Sequence, residues 1–302
     1  MRLCVLCPYG LDEGLLSKAV ALCPTEPVRV LVPEKDALAA ARYGAALIHI
    51  LPSADSDEMQ LALWLKGKIE EWESNAVLAP ASIAMRNLMP YLAFLASAGL
   101  TADCTALTRE GETLLQTRPA FGNSLMATIK SLSPVQMATV RPGTFRAVVR
   151  PAECPRVTVE APVFTESTVT VREERLYADA VPLSQAQIIV AGGAGIGSAA
   201  GFQKLERLAA RLGGSVAASR NAVDAGFAPF RCQVGMTGVT VCPKIYLAVG
   251  ISGAVQHLAG MNGAETVIAI NSDPKAPIFD YADYGIVGDW EAVIDALLEE
   301  EQ

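Results

Sequence analysis

The sequence predicts an α/β protein of two domains, each with a parallel sheet covered by helices on both faces. Three observations support this prediction. The chain has 302 residues, a length that favours about two domains, each with its own core. Hydrophobic residues make up 51% of it, which excludes a mainly disordered chain. Short apolar runs alternate with longer helical patterns, as expected when helices connect parallel strands.

The first 100 residues show this alternation clearly. The predicted strands are short apolar runs that end in turn residues: Leu3–Cys7, Val28–Val32, Ala46–Leu51 and Ala76–Ala79. The predicted helices between and after them are Gly14–Leu22, Asp36–Tyr43, Leu61–Trp72 and Met85–Ala98.

The next stretch is less regular. Thr101–Thr105 precedes an acidic turn at Glu110–Glu112. Thr117–Arg141 lacks a clean period, and we expect a hairpin or loop there that leads back to a strand at Met137–Val140.

Residues 153–182 differ in composition, being rich in Val, Thr and Glu with prolines as breaks. Their alternation predicts edge strands at Val157–Glu160 and Thr168–Arg172. We place the domain boundary near Pro182, which gives an N-terminal domain of residues 1–182 and a C-terminal domain of residues 183–302.

The C-terminal domain begins with a strand, Ile188–Ala191, and a glycine turn, Gly192–Gly197. Ser198 can cap the helix that follows, and Gly213 and Gly214 end it. The apolar face of that helix is predicted to consist of Phe202, Leu205, Leu208, Ala209 and Leu212. The remaining predicted elements are strands at Ser215–Ala218, Val239–Cys242, Ile245–Val249, Thr266–Ile270 and Gly285–Gly288, and a helix at Trp290–Glu300.

Composition also excludes several classes of protein. The net charge of −8 argues against a nucleic-acid partner. The longest nearly apolar run, Met89–Leu100, is well short of the roughly 20 residues that span a bilayer. The N-terminal run breaks at Pro8, so it predicts a first strand rather than a signal peptide, and we expect a cytoplasmic protein without membrane insertion.

The seven cysteines suggest neither a disulfide framework nor a zinc site. Cys4 and Cys7 form a C-x-x-C, but residues three apart on a strand point to opposite faces. We therefore expect two core cysteines rather than a redox pair.

Polar side chains of the C-terminal domain cluster where predicted strands end. The carboxyl ends of parallel strands share one edge of a sheet, and ligands bind there. Hydroxyls, exposed N–H groups and one fixed cation suit a ligand with phosphates and a polar heteroaromatic ring. We therefore predict a dinucleotide site, with a flavin as the favoured ligand. The residues concerned are Ser219, Arg220, Thr237, Ser252, Gln256, His257, Asn271 and Asp289.

Several of these residues also have a structural interpretation. Arg220 could be a surface arginine, Thr237 part of an ordinary turn and His257 a satisfied core histidine. Asp289 could be the N-cap of the helix that starts at Trp290. The glycine turn is spaced G-G-x-G-x-G rather than G-x-G-x-x-G, so it is a weak indication of phosphate binding.

The sequence holds no evident nucleophile and base pair. Ser219 and Ser252 lack the setting of a nucleophile elbow, and neither histidine suggests a triad. The pattern therefore predicts a cofactor site without substrate chemistry of its own.

Several blocks in fixed order carry a family resemblance. These are LGGSVAASRNAVDAGF, QVGMTG, YLAVGISGAVQHLAGM, AINSDPKAPIF and ADYGIVGD, with looser matches in LTADCTAL, RPAFGNSLMATI and TVRPGTF. Together they resemble the α subunit of electron transfer flavoproteins, the FixB-like family, over nearly the whole chain.

The resemblance implies an electron carrier rather than an enzyme. Its C-terminal domain would be a Rossmann-like FAD-binding domain, and its N-terminal domain a nucleotide-free scaffold shared with a β subunit in a heterodimer. Electrons would come from a partner dehydrogenase, of which an acyl-CoA-type enzyme is one candidate, and pass to another redox protein. The β subunit would hold any second nucleotide, so this chain leaves open whether the complex bifurcates electrons.

The resemblance also implies roles for individual residues, which we carry over by motif position. Ser219 and Arg220 would lie beside the flavin, where a cation stabilises reduced, anionic forms of the ring. Val234, Gly235, Met236 and Thr237 would wrap the ring and ribityl chain, with Thr237 near N5. Ser252, Gly253, Ala254, Val255, Gln256 and His257 would hold the ribityl and phosphate region, with His257 near O2. Asn271, Asp289 and Trp290 would hold the AMP half.

Two residues depart from the family pattern. Ala194 stands where the family usually has an arginine, and Met236 where it usually has a glutamine. Both changes should alter FAD affinity or potential. Two alternatives remain open: an NAD-dependent homo-oligomeric enzyme with a related sheet, and a non-redox scaffold with a decayed site.

Overall fold

The computed structural model describes residues 1–52, 58–120, 125–164 and 183–299. The chain divides into two compact units, Met1–Glu174 and Arg175–Gln302. The predicted boundary near Pro182 and the predicted strand Thr168–Arg172 lie outside the described residues.

The first unit is built on a seven-stranded sheet in which every pairing is parallel. In sheet order its strands are β10 (Arg156–Val159), β3 (Leu47–Ile50), β2 (Arg29–Val32), β1 (Leu3–Leu6), β4 (Ala76–Pro80), β9 (Gln136–Val140) and β5 (Gly99–Cys104). The edge position of β10 confirms the predicted edge strand at Val157–Glu160.

Helices cover both faces of this sheet because its strands alternate their apolar side chains between two cores. In β1, Leu3 and Val5 belong to one core, and Cys4 and Leu6 to the other. The first core is covered by α1 (Glu13–Leu22) and α2 (Ala37–Arg42), the second by α3 (Glu58–Glu71) and α4 (Ile83–Leu95).

The two cysteines of the C-x-x-C are both buried and free. Cys4 lies in the second core and Cys7 in the first, so their thiols are on opposite faces of the sheet. The prediction of two separate core cysteines is confirmed.

A small antiparallel sheet accounts for the irregular stretch before β9. It consists of β6 (Ala106–Glu110), β7 (Thr113–Ala120) and β8 (Leu125–Lys130), in that order. The acidic turn between β6 and β7 contains Gly111 at φ +61°, a conformation that favours glycine. The sequence suggested only a hairpin or loop after Thr117, because amphipathic strands with exposed faces carry a weak apolar signal.

The second unit contains a five-stranded parallel sheet. In sheet order its strands are β12 (Ser215–Ala218), β11 (Ile188–Gly192), β13 (Ile245–Val249), β14 (Thr266–Asn271) and β15 (Tyr284–Val287). Its helices are α5 (Ala199–Arg211), α6 (Arg220–Asp224), α7 (Val255–Met261) and α8 (Trp290–Glu299).

The predicted cap of α5 is confirmed, since the Ser198 hydroxyl accepts a hydrogen bond from Gly201 N at 3.1 Å. Phe202, Leu205, Leu208 and Ala209 are buried as expected. Leu212 is not: it is 44% exposed, because α5 ends at Arg211 and Leu212 already lies in the turn. Including Leu212 in the apolar face was therefore wrong.

The predicted strand Val239–Cys242 is also wrong. Only Val239 forms a single bridge, to Val234, and Val241 N donates to Gly260 O of α7 at 2.8 Å. Val241 is buried in the core beneath the sheet. Its β-branched, apolar character therefore reflects burial under α7 and not membership of the sheet.

No helix in the described part of the chain combines the length and apolarity that crossing a membrane requires.

Candidate functional site: a cavity at the strand ends of the second unit

A cavity of about 780 Å³ lies at the carboxyl edge of the second sheet. Ligand sites typically occupy roughly 300–1,000 Å³, so this cavity is large enough for a cofactor. The chain segments that follow β11, β12, β13 and β14 all contribute to it. Its lining residues are Ala194, Gly195, Ser219, Arg220, Asn221, Asp224, Val234, Gly235, Met236, Thr237, Gly250, Ile251, Ser252, Ala254, Gln256, His257, Asn271, Asp273, Ala276 and Pro277.

The cavity lies where the strand order reverses. From β11 the chain passes through α5 to β12 on one side, and β13 pairs with β11 on the other. In open α/β sheets, ligands bind in the crevice at such a switch point.

Glycines keep this crevice open. A Cβ on Gly193 would collide with the carbonyl of Gly250, and a Cβ on Gly195 would lie 2.9 Å from the same oxygen. Gly250 itself has φ +61°, a conformation that strains other residues. Two loops therefore meet here backbone to backbone.

Ser219 and Arg220 follow β12. Ser219 is the N-cap of α6, with its hydroxyl 3.4 Å from Ala222 N. The Arg220 side chain is 66% exposed, and its Nε lies 3.4 Å from Asp224 Oδ2, one turn along α6. The lining thus contains one guanidinium and two carboxylates, those of Asp224 and Asp273.

The segment from Gln233 to Gly238 forms one wall. Gln233 is buried, and its Nε2 donates to Thr237 Oγ1 at 2.9 Å. Since that bond uses a lone pair of the oxygen, the hydroxyl hydrogen of Thr237 stays available to donate elsewhere. Met236 N donates to Gln256 O at 2.7 Å and so ties this wall to α7, while the Met236 side chain is 57% exposed.

His257 forms the inner wall and is 6% exposed. Its Nε2 lies 2.9 Å from the hydroxyl of the fully buried Tyr246. Burial lowers the pKa of His257 to about 4, against a smaller opposing effect of the Val234 backbone. The imidazole is therefore neutral at physiological pH.

Asn271 joins two strand ends at the cavity floor. Its Nδ2 donates to Ile251 O at 2.8 Å, and its Oδ1 accepts from Asp273 N at 3.0 Å. These bonds fix the loop after β13 against the end of β14.

The cavity lining brings together most of the residues that the sequence nominated, but four lie outside it. Gly253 is buried at φ +89°, where a Cβ would collide with Ile278 N. Val255 is 48% exposed at the start of α7. Asp289 Oδ1 accepts from Glu291 N at 3.2 Å at the start of α8, and Trp290 packs in the core with α5. The cofactor roles assigned to these four remain predictions.

Sequence reasoning missed several lining residues. Asp224 and Asn221 reach the cavity because α6 begins directly at the strand end, and Asp273 does so through its bond to Asn271. Gln233 does not line the cavity itself, but it supports Thr237 from behind and was also missed, although it stands in the quoted block QVGMTG. Among the described residues, no group of three or more His, Cys, Asp or Glu could hold a metal ion.

Comparison with known proteins agrees with this geometry. Residues 10–167 match the family model described as electron transfer flavoprotein domain, and residues 182–262 match the electron transfer flavoprotein FAD-binding domain. An electron transfer flavoprotein subunit alpha of Thermoanaerobacterium thermosaccharolyticum is 48% identical over 268 residues, covering 85% of this chain and 81% of the relative. The chain belongs to the electron transfer flavoprotein α-subunit family. The resemblance found in the sequence blocks is confirmed.

Two further relatives match about three quarters of the chain. A protein FixB of Clostridium saccharobutylicum is 49% identical over 224 residues, covering 72% of this chain and 67% of the relative. A subunit alpha of Bacillus subtilis is 40% identical over 238 residues, covering 78% and 73%. The match to the FAD-binding domain includes the predicted residues from Ser219 to His257, whereas Asn271, Asp289 and Trp290 lie beyond it.

The cofactor of this domain is FAD, and two observations show that the cavity fits it. The turns after β11 and β13 place Gly195 and Gly250 in the lining, where the lack of a Cβ lets a large planar or phosphorylated ligand approach the backbone closely. Within the described lining, His257 Nδ1 is a buried polar atom with no partner in hydrogen-bond geometry. Such an atom is stabilised when a ligand supplies the missing partner.

Proposed function

We propose that the chain is the FAD-binding subunit of a heterodimeric electron transfer flavoprotein. It accepts electrons from a partner dehydrogenase and passes them to another redox protein. The observation that carries this proposal is the single cavity shared by Arg220, Thr237 and His257 at the switch point of a parallel sheet. Bound FAD would supply reversible electron storage, and the residues around it bind and orient it.

The protonation and hydrogen bonding of His257 and Ser219 support an electron carrier over an enzyme. His257 has its Nε2 engaged by Tyr246, and its pKa of about 4 leaves it neutral. Ser219 is engaged as the cap of α6. Neither is poised to exchange a proton with a substrate at neutral pH. This favours the carrier over the alternative, an NAD-dependent homo-oligomeric enzyme.

The first test is a spectrum of the chain co-purified with its β subunit. We expect flavin absorbance and about one FAD for each α chain. A colourless complex would instead favour the alternative of a non-redox scaffold. Steady turnover of a small substrate with NAD by the chain alone, without protein partners, would support the NAD-dependent enzyme.

We propose an acyl-CoA dehydrogenase as the electron donor, on the strength of the family resemblance. The test mixes the FAD-loaded complex with an acyl-CoA dehydrogenase and its substrate, and records the loss of flavin absorbance. NADH without that dehydrogenase serves as the comparison donor. Bleaching by NADH alone, and none by the dehydrogenase, would exclude the proposed donor and keep the carrier function.

We further propose that the first unit contacts the β subunit through its small antiparallel sheet. Strand β8 is largely exposed, and its exposed residues include apolar ones. Leu125 and Met126 are 59% and 58% exposed, and Leu132, two residues beyond the strand, is 92% exposed. Large apolar side chains that a strand leaves exposed in this way are candidates for a protein interface.

The interface can be tested with a charge on this surface. Met126→Lys should reduce co-purification of the β subunit. The control is Leu38→Lys on α2, where the native side chain is 87% exposed and away from this sheet. Equal yields of complex from the two variants would contradict the proposed interface.

A further inference from the structure

Beneath the cavity wall, a buried tyrosine contacts the histidine. Tyr246 is the second residue of β13 and is 0% exposed. Its hydroxyl has one hydrogen-bond partner among the described residues, His257 Nε2 at 2.9 Å. The centroids of the two rings are 6.1 Å apart and the ring planes are tilted by 60°, so the residues interact through their polar atoms and do not stack.

The direction of this hydrogen bond follows from the burial of both groups. Burial raises the pKa of Tyr246, so the hydroxyl keeps its proton. A buried hydroxyl hydrogen without an acceptor is costly, and His257 Nε2 is the acceptor within reach. Donation from tyrosine to Nε2 leaves that nitrogen without a hydrogen, so the neutral ring carries its hydrogen on Nδ1.

The opposite arrangement is less favourable. If Nε2 carried the hydrogen, the Tyr246 hydroxyl hydrogen and the Nδ1 lone pair would both be buried without partners. With the hydrogen on Nδ1, only that N–H lacks a partner in normal geometry. The nearby Val234 backbone opposes the effect of burial and so favours a ring N–H.

We propose that Tyr246 is a positioning residue that holds His257 as the neutral, Nδ1-protonated imidazole in the cavity wall. The arrangement gives the lining a fixed donor without adding a positive charge. Arg220 then remains the one cation among the lining residues, all of which are described. The effect on bound FAD rests on the proposed function, whereas the state of the imidazole depends only on this chain.

The chain is well suited to a direct test because it contains only two histidines. His49, the other one, lies in the first unit and provides an internal reference. Its Nδ1 is 2.6 Å from Glu160 Oε1, and Arg29 Nε donates to its Nε2 at 3.1 Å. Since Nε2 accepts there as well, His49 should also carry its hydrogen on Nδ1.

The experiment labels histidine nitrogens with ¹⁵N in this chain alone and assembles the full chain with FAD and an unlabelled partner. Protonated and unprotonated ring nitrogens have separate ¹⁵N chemical shifts, so each histidine reports its own tautomer. We expect Nδ1–H for His257 in the wild type. A wild-type His257 with its hydrogen on Nε2 would overturn the proposal without any variant being made.

Tyr246→Phe then removes the hydroxyl and keeps the ring. We expect His257 to gain a population protonated on Nε2, while His49 does not change. The first flavin absorption band and the FAD potential should shift in the same variant. The control is Tyr284→Phe, which removes a hydroxyl from a 66% exposed tyrosine on β15. An unchanged His257 tautomer in Tyr246→Phe would refute the positioning role.

The two readouts separate this inference from the proposed function. A wild-type complex without flavin absorbance would contradict the carrier function, while the ¹⁵N tautomer would still decide the role of Tyr246.

Discussion

Arg220 Nε and Asp224 Oδ2 lie 3.4 Å apart on one turn of α6, and both residues line the cavity. The side chains are 66% and 63% exposed, so water and salt screen their attraction. The cation expected to act on the flavin is thus partly offset by a carboxylate one turn away. The electrostatic effect on FAD depends on both residues.

Arg220→Ala should lower the midpoint potential of bound FAD, because it removes the charge that stabilises the reduced, anionic ring. We expect a shift of tens of millivolts, where about 59 mV corresponds to a tenfold change for one electron. Redox titration of the FAD-loaded complex measures it. Arg207→Ala, at an exposed site on α5 outside the lining, is the control. Equal potentials for the two variants would contradict the role of Arg220.

Asp224→Asn should have the opposite effect, raising the potential by removing the charge that offsets Arg220. The same titration applies, and raised salt should shrink the difference from wild type because both side chains are exposed. A lowered potential would show that Asp224 supports the bound cofactor in another way.

Ala194→Arg should tighten FAD binding, because it returns a cation to the exposed glycine turn that lines the cavity. Exposed charge pairs contribute about 0.2–1 kcal/mol, so up to about a fivefold lower Kd is expected. Fluorescence titration of the apoprotein with FAD gives the value. The control is Ala200→Arg, which places the same charge on α5 outside the lining and should leave the Kd for FAD unchanged. An equal decrease in Kd for the two variants would indicate only a general effect of net charge.

The free energy of unfolding should fall as the pH is lowered through the range in which His257 titrates. Its pKa is lowered to about 4, whereas an unfolded histidine titrates near 6.5. The unfolded chain therefore binds the proton first, and stability is lost as the pH falls from about 6.5 to about 4. At about 1.4 kcal/mol per pH unit, the loss reaches about 3 kcal/mol.

Urea unfolding of the wild type and of His257→Gln between about pH 7 and pH 4 isolates the contribution of His257 to the pH dependence of stability. The variant should show a smaller fall, and the difference between the two proteins should be constant above about pH 7. Parallel curves down to pH 4 would mean that His257 titrates alike in both states.

Gly253→Ala should destabilise the second unit more than Gly226→Ala. Both glycines have positive φ, +89° and +75°, but only at Gly253 would a Cβ meet backbone, at Ile278. Gly226→Ala should cost about 1–2 kcal/mol from its conformation alone. Gly253→Ala should add roughly 1–3 kcal/mol of steric overlap. Equal losses in urea unfolding would contradict the predicted collision.

Local patterns in the chain were sufficient for most of the fold. The strands from Ile245 to Val249 and from Ser215 to Ala218 are apolar runs bounded by turn residues, and they occur where predicted. Val239–Cys242 has the same appearance, but only Val239 makes a single bridge, and Val241 is buried under α7 instead of pairing in the sheet. Burial and sheet membership select the same side chains, so composition alone does not separate them.

The sequence by itself determined the parallel sheets, the family blocks and the strand ends that carry Ser219, Arg220, Ser252 and Asn271. Each of these is indicated by apolar runs, turn residues and motif strings along the chain. Only the tertiary structure paired Tyr246 with His257, set Gln233 against Thr237 and brought Asp273 into the lining beside Asn271. Those contacts depend on how the chain turns after each strand, and on burial that removes competing water from the polar atoms.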